Sequence, residues 1–577
     1  DSAIPGLLKL VEDSDSYVRR RAAEALGKIG SNTAIPGLLK LVEDSNSYVR
    51  RRAAEALGKI GSNTAISVLL KLVEDSDYDV RRSAADALDK IDSNTAISGL
   101  LKLVEDSDYD VRNRAAGALG EIGTQTAISG LLKLVEHSDS DVRRIAANAL
   151  GNIGSQTAIP GLLKLVGDSD SDVRRIAANA LGNIGSQTAI PGLLKLVGDS
   201  DSDVRRSAVK ALGNISSPTA IPGLLKLVGD SDSDVRRSAA KALGNISSPT
   251  AIPALLKLVK NSDSDVRSSA AKALGNISSP TAIPGLLKLV ENSEFYVRSS
   301  AAEALGNIGS PTAIPALLKL VKNSDSDVRS SAAKALGNIS SPTAIPGLLK
   351  LVENSEFYVR SSAAEALGNI GSPTAIPALL KLVKDSDSDV RSSAAEALGN
   401  IGSPTAIPAL LKIVEYSRYN VRMSATKALI KIGSHQAIPA LLKLVKSYNF
   451  SVRSSAAEAL GNIGSHQAIP ALLQLVEHSN YFVCISAAEA LGKIGSHRAI
   501  PALLQLVENW DYFVRSSATD ALCNIAKKDT RASQYLPHLL TLIQTRYGQD
   551  AFRIILAIQE NCKFYNYEIW QESLSRG

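Results

Sequence analysis

Apolar positions near the start of the chain fall into two helical stripes. Ile4, Leu7, Leu8 and Val11 sit at i, i+3, i+4 and i+7, one face of a short helix. Pro5 lies in its first turn, where a missing N–H breaks no hydrogen bond. Ser14-Asp15-Ser16 is then a polar turn with N-cap chemistry. Val18, Ala22, Leu26 and Ile29 repeat at i, i+4, i+8 and i+11, which predicts a second helix. Ala22, Ala23 and Ala25 keep that helix thin, and Gly30 supplies a C-cap. Thr33 is placed to cap the next first helix. Neither helix can bury its stripe alone, so the unit must stack on copies of itself.

The copies are present. The phrase Ala-Ile-Pro-Gly-Leu-Leu-Lys-Leu-Val starts at Ala3 and returns in close variants every 31 residues to Ala499, giving seventeen units over residues 3–529. Residues 251–312 and 313–374 are identical over 62 positions, the mark of a duplicated two-unit block. We number these units repeats 1 to 17. With helices 8–10 Å apart, seventeen stacked pairs predict an all-α rod or superhelix roughly 150–170 Å long.

The pattern D-x-V-R-x-x-A-A-x-A-L-G-x-I-G, following A-I-P-x-L-L-x-L-V, resembles HEAT-type repeats of the short, phycobilisome-lyase-like variety. The resemblance covers residues 1–529 and implies an α-solenoid that holds a partner, with the second helix of each pair lining the concave face. Repeat 14 (406–436) is the first irregular unit, with Arg418, Met423, and Ile430 at a Gly position. After Asn524 the period fails, and residues 530–577 read as a degenerate capping repeat: a first helix near Leu536, a second over Gln549–Cys562, and a bulky tail with Phe564, Tyr565, Tyr567 and Trp570. The tail over Ala557–Ile569 resembles the end of HEAT-bearing bacterial proteins that carry an N-terminal NACHT-type nucleoside triphosphatase. Asp1-Ser2 runs straight into a regular unit, so a preceding domain is expected, with any nucleotide chemistry in it. That resemblance implies a cytoplasmic bacterial signalling or defence protein.

Composition narrows the chemistry. Hydrophobic residues make up 45% but aromatics only 4%, so a thin aliphatic and Ala core is expected. A net charge of +6 neither demands nor excludes an acidic partner. Cys484, Cys523 and Cys562 are too few and too far apart for a disulfide scaffold or a CxxC site. No apolar run reaches membrane-spanning length. None of the phosphate-loop, dinucleotide, zincin or nucleophile-elbow motifs occurs, and no His-Glu pair occurs in sequence, so neither catalysis nor a cofactor is expected. His435, His466 and His497 recur at the repeat spacing in the turns, roughly 10 Å apart, too far for one ion to bridge.

Three surface features remain. The Arg after Val opens the second helix in every repeat but one: Arg19, Arg50, Arg81, Arg112, Arg143 and onward, with Cys484 the exception. A ladder of these arginines with Asp four residues before (Asp15, Asp77) or two before (Asp79, Asp141) is expected to fix the stacking. The following positions carry Arg20, Arg21, Arg51, Arg52, Arg82, Arg144 and Arg175 in the N-terminal repeats, and mostly Ser from Ser268 onward. That stripe reads as a phosphate-binding groove for nucleic acid, an acidic-protein surface, or a solvated face offset by the acids of the same units. No aromatic is seen to interleave the arginines on that line. Aromatics gather instead in the inter-helix turns, at Phe295-Tyr296, Phe357-Tyr358, Tyr419, Tyr448, Phe450, Tyr481, Phe482, Trp510, Tyr512 and Phe513. They read either as a partner-binding edge or as side chains packed onto their own units. The expectation is a non-catalytic protein-binding scaffold, with a nucleic-acid-binding solenoid and lyase-like binding of a tetrapyrrole-bearing protein as alternatives.

Overall fold

A computed structural model describes residues 3–91, 94–292, 294–433, 435–543 and 545–562. The expected tail residues Phe564, Tyr565, Tyr567 and Trp570, and Asp1-Ser2, lie outside them. Among the described residues every regular element is helical. The chain forms two compact units, Asp1–Ile277 and Ser278–Gly577.

Repeat 2 shows how the sequence makes one pair. A single 3-10 turn, Asn32–Ala34, leads into the first helix Ile35–Leu41, and the second helix spans Ser47–Ile60. Asn46 caps the second helix by accepting from the Tyr48 N–H, as Asp15 does from Tyr17 in repeat 1. Gly61 ends it in the left-handed region at φ 69°. In four repeats Ser takes that place, and Ser216 holds φ 53° while its hydroxyl donates to the Gly213 carbonyl at 2.7 Å. The expected Thr33 cap is not made. The first helix has no side-chain cap, and Thr33 instead hydrogen-bonds Ser31 inside the 3-10 turn. The turn supplies the N–H partners that a capping hydroxyl would have supplied.

The core is the aliphatic set the stripes predict. Leu38, Leu41, Val42, Val49, Ala53, Leu57 and their equivalents are buried. Most successive second helices touch backbone to backbone: a Cβ on Gly58 would stand 2.6 Å from Ala87 Cα, and one on Gly337 2.7 Å from Ala366 Cα, whereas one on Gly120 would meet nothing nearer than 3.7 Å. First helices are spaced by side chains such as Leu8 against Gly37. Within each unit the second helices therefore form the more tightly spaced layer.

Three repeats break that Gly, at Asp89, Ile430 and Cys523. Gly399 and Gly461 on either side leave only 2.6 and 2.5 Å between a notional Cβ and the next helix, an approach no Ile could make. The second helix of repeat 14 accordingly lies against that of repeat 15 along less of its length than its neighbours do. Beyond repeat 17 the first helix runs Leu536–Leu542 and the second Gly548–Cys562. Ala551, Ile554, Ile555 and Ile558 of that last helix are buried, and Tyr547 donates to the Glu508 carbonyl at 2.8 Å. Phe552 and Leu556 on its other side stay exposed.

Candidate interaction surfaces

The arginine that opens each second helix turns back over its own turn and forward to the next repeat. Arg19 donates to the Asp13 and Ser14 carbonyls at 2.8 and 3.0 Å, and grips both oxygens of Asp44 at 2.6 and 2.9 Å. Arg50–Asp75, Arg81–Asp106, Arg143–Asp168, Arg174–Asp199 and Arg205–Asp230 repeat this bidentate pairing. For these pairs the partner is neither acid expected from the sequence; of those, only Asp141 meets a ladder arginine, Arg112. Asp15 and Asp77 spend their carboxylates on the helix N-cap. The partner stands six residues before the next arginine, where it reaches across the repeat boundary. Burial would raise the Asp44 carboxyl, but hydrogen bonds from Arg19 and the Asn46 N–H outweigh it and hold it below its ordinary range. The fork geometry makes this more than a loose surface pair. Arg112 departs from the series. His137 occupies the partner position, so Arg112 reaches Asp141 at 3.3 Å and its buried Nε has no hydrogen bond. For Arg422 of repeat 14, Ser447 of the next repeat stands where the carboxylate would be, and burial pushes the guanidinium below its usual value.

The N-terminal stripe is basic in sequence and balanced in space. Arg82, Arg144, Arg175 and Arg206 pair with Asp79, Asp141, Asp172 and Asp203 at 2.7, 3.1, 2.7 and 2.6 Å. Arg51 lies 3.6 Å from Asp79 of the next repeat, while Arg21 and Arg52 pair with Glu24 and Glu55 at 2.7 and 2.5 Å. Aromatics do interleave this line, contrary to the sequence reading. The Arg20 guanidinium lies 4.9 Å from the Tyr17 ring centre, with Arg51 over Tyr48 and Arg144 over Tyr109 at 5.6 Å each. Tyr17, Tyr48, Tyr78 and Tyr109 are exposed in four successive repeats. They were missed because the tyrosine alternates between two adjacent positions of the repeat.

The C-terminal aromatics split into a groove and an open edge. Tyr419, Phe450 and Phe482, from repeats 14, 15 and 16, line one groove of about 270 Å³ together with Met423, Ser454, Ser455, Glu458 and Ser486. Ile430 lies further along the same second helix as Tyr419 and Met423, outside the lining of the groove. The Ser454 hydroxyl is buried in the groove without a hydrogen-bond partner. Further along unit 2, the Ser330–Ser362 and Ser361–Ser393 hydroxyls pair across repeats at 2.8 Å. Tyr481, outside the groove lining, packs on Phe482 with ring centres 4.0 Å apart. Trp510 (82% exposed), Tyr512 and Phe513 stand beyond it on the open edge. Arg515 lies over the Tyr512 and Tyr547 rings at 5.7 and 5.9 Å. In the duplicated block both readings of the aromatics hold at once. Phe295 and Phe357 point outward, while Tyr296 and Tyr358 pack in, with the Tyr358 hydroxyl donating to Ser326 of the preceding repeat. Met423 and Ile430 were visible as irregularities, but nothing in their spacing said that Met423 lines one groove with the aromatics.

No group of acids, His and Cys that could hold a metal occurs among the described residues. His497 sits 3.3 Å from Asp529, and the side chain of His435 lies outside the described set. Cys484 replaces a ladder arginine and donates to the His478 carbonyl; burial pushes its thiol, and that of Cys523, upward. No helix among the described residues is long and apolar enough to cross a membrane.

A model of HEAT repeats matches overlapping segments that run from residue 4 to residue 523, among them 4–89, 159–240, 345–430 and 438–523. The chain belongs to the HEAT-repeat family. No curated protein sequence matches it. Among solved structures it is similar to importin beta crystallised in ammonium sulfate, with 15% identity, 99% of this chain and 96% of that chain covered, and a TM-score of 0.60. It is also similar to Kap95p bound to RanGDP (14% identity, 97% and 93% covered, TM-score 0.57). The Kap95:Nup1 complex matches at 13% identity, with 97% and 93% covered and a TM-score of 0.58. These likenesses confirm an all-α solenoid. The NACHT-type parent implied by the tail finds no support in them.

Proposed function

We propose that this chain is a cytoplasmic, non-catalytic scaffold that binds a partner protein through the aromatic groove of repeats 14–16. The observation that carries the reading is the convergence of Tyr419, Phe450 and Phe482 from three successive repeats on one groove over a buried, unpaired Ser454 hydroxyl. Large aromatics around a desolvated pocket have hot-spot composition, and an unpaired hydroxyl offers a polar anchor to an incoming backbone. Kap95p, whose complexes with RanGDP and with Nup1 are solved, shares the fold and supports a protein partner. In this reading 1–529 is the binding array and 530–577 closes it, independently of any larger parent protein. The nucleic-acid alternative loses ground because nearly every stripe arginine already has a carboxylate partner, which leaves few charges to neutralise phosphates.

A displayed random-peptide library tests the reading. Peptides selected on the intact chain should lose about tenfold or more in affinity for the Tyr419→Ala, Phe450→Ala, Phe482→Ala triple variant. Selection of the same peptides at equal affinity by that variant would refute the groove as the contact.

A further inference from the structure

The opposite layer of unit 2 carries a second surface with different chemistry. In several repeats the lysine of the first helix reaches back to a glutamate of the preceding repeat: Lys40 to Glu12, Lys164 to Glu136, and Lys381 to Glu353 at 3.6 Å. Repeats 9, 11, 13 and 15 carry a lysine there instead, Lys260, Lys322, Lys384 and Lys446, and of these Lys322 and Lys384, inside unit 2, line grooves. Lys350 and Lys412 of the following repeats then face a like charge, an arrangement that costs energy until an anion enters.

Both lysine pairs stand over apolar grooves. Lys322 and Lys350, with Lys319, rim a groove of about 450 Å³ whose floor is Leu318, Val321 and Pro346. Lys384 and Lys412 rim one of about 460 Å³ over Leu380, Val383 and Pro408, with Tyr416 at its end. The two grooves repeat the same positions 62 residues apart, so they are two copies of one site. No carboxylate lines either groove. Of the acids beside the grooves in sequence, Glu353 pairs with Lys381, Asp385 with Arg360, and Glu415 interacts with the Tyr416 hydroxyl.

We propose that these two grooves together dock an acidic amphipathic segment of a partner protein. Its apolar side chains would seat on the floors and its carboxylates between the lysines. Two repeat steps separate the grooves by roughly 20 Å, the span of a helix of about 14 residues. The surface is separate from the aromatic groove and does not depend on it. Lysine pairs alone would attract any polyanion; the apolar floors are what select a segment with both characters.

The probe is a labelled peptide of about 16 residues with Leu and Glu at helical spacing, titrated against the full chain by fluorescence anisotropy at about 50 and about 300 mM salt. Controls are the same peptide with Gln for Glu, a Glu peptide without Leu, and vesicles of phosphatidylcholine with phosphatidylglycerol. The variant is Lys322→Glu with Lys384→Glu. It should fold, because Glu291 and Glu353 occupy these positions in neighbouring repeats. The Leu/Glu peptide should bind the intact chain, weaken at high salt, and lose about tenfold or more on the variant. The Tyr419→Ala, Phe450→Ala, Phe482→Ala variant should bind it normally. Undiminished binding to the lysine variant, equal binding of the Leu-free peptide, or binding of vesicles without the peptide would each overturn the proposal.

Discussion

The two units have the same kind of core and hold their edges together differently. In repeats 1–8 every boundary but the one at Arg112 is stitched by a bidentate Arg–Asp pair such as Arg50–Asp75, with added cross-repeat pairs such as Arg206–Asp234. In repeats 10–13 the ladder acid is mostly Asn, with Arg329 reaching Asn354 only at 3.5 Å, and hydroxyl pairs such as Ser330–Ser362 take the inner line. Arg360–Asp385 is an ionic link of the N-terminal kind inside unit 2. Yet the second helices approach equally closely in both units, at Gly58 and at Gly337. The stacking is therefore set by Gly, Ala and aliphatic packing, and the edge chemistry is left free to specialise. The N-terminal edge has closed its charges on itself. The C-terminal edge has left aromatics, an unpaired hydroxyl and a groove open to a partner.

The strongest test of this kind of core is at the close approaches. Gly58→Val and Gly337→Val should each cost about 3 kcal/mol or more in their own unit, read by local hydrogen exchange or denaturant melts. A large cost in one unit and none in the other would mean that the two stacks are not equivalent. Next comes the ladder. Arg50→Ala strands the buried Asp75 carboxylate and should cost about 2 kcal/mol, whereas Arg329→Ala faces only an amide and should cost about 1 kcal/mol or less. Equal costs would dissolve the contrast between the units.

Acid sharpens the same contrast. Asp44, Asp75, Asp168, Asp199 and Asp230 are held below their ordinary carboxyl values. Their contribution is complete above the unfolded value of about 3.9 and is lost as pH falls through the lower folded values. Among the described residues unit 2 has one such ladder acid, Asp385, besides Asp529, which Arg531 holds down. Amide exchange below about pH 4 should therefore rise first in residues 3–277. The smallest effect is at the left-handed serines. Ser216→Gly relieves backbone strain but loses the hydroxyl bond to Gly213, for a net gain of about 0.5 kcal/mol in melting experiments.

The fold was legible because a 31-residue period repeated seventeen times leaves little freedom. The stripes, the Asp15-type caps and the Gly30-type ends all follow from residue type at fixed offsets. The ladder partner was not legible for a related reason. Each repeat carries acids at several offsets from its arginine, and only the stacking register brings Asp44 rather than Asp15 to Arg19. Tyr419, Phe450 and Phe482 were named from sequence as an edge, but only the stacking of three repeats shows that they line one groove. The paired lysines went unread because a lysine replacing a glutamate gains meaning only once its neighbour across the repeat boundary is known.

The claim that the aromatic groove is the contact is tested most directly by the Tyr419→Ala, Phe450→Ala, Phe482→Ala variant. Peptides selected on the intact chain would be titrated against this variant alongside its thermal melt. The account predicts that peptide affinity falls about tenfold or more while the melting midpoint holds. Unchanged affinity in a folded variant would contradict it.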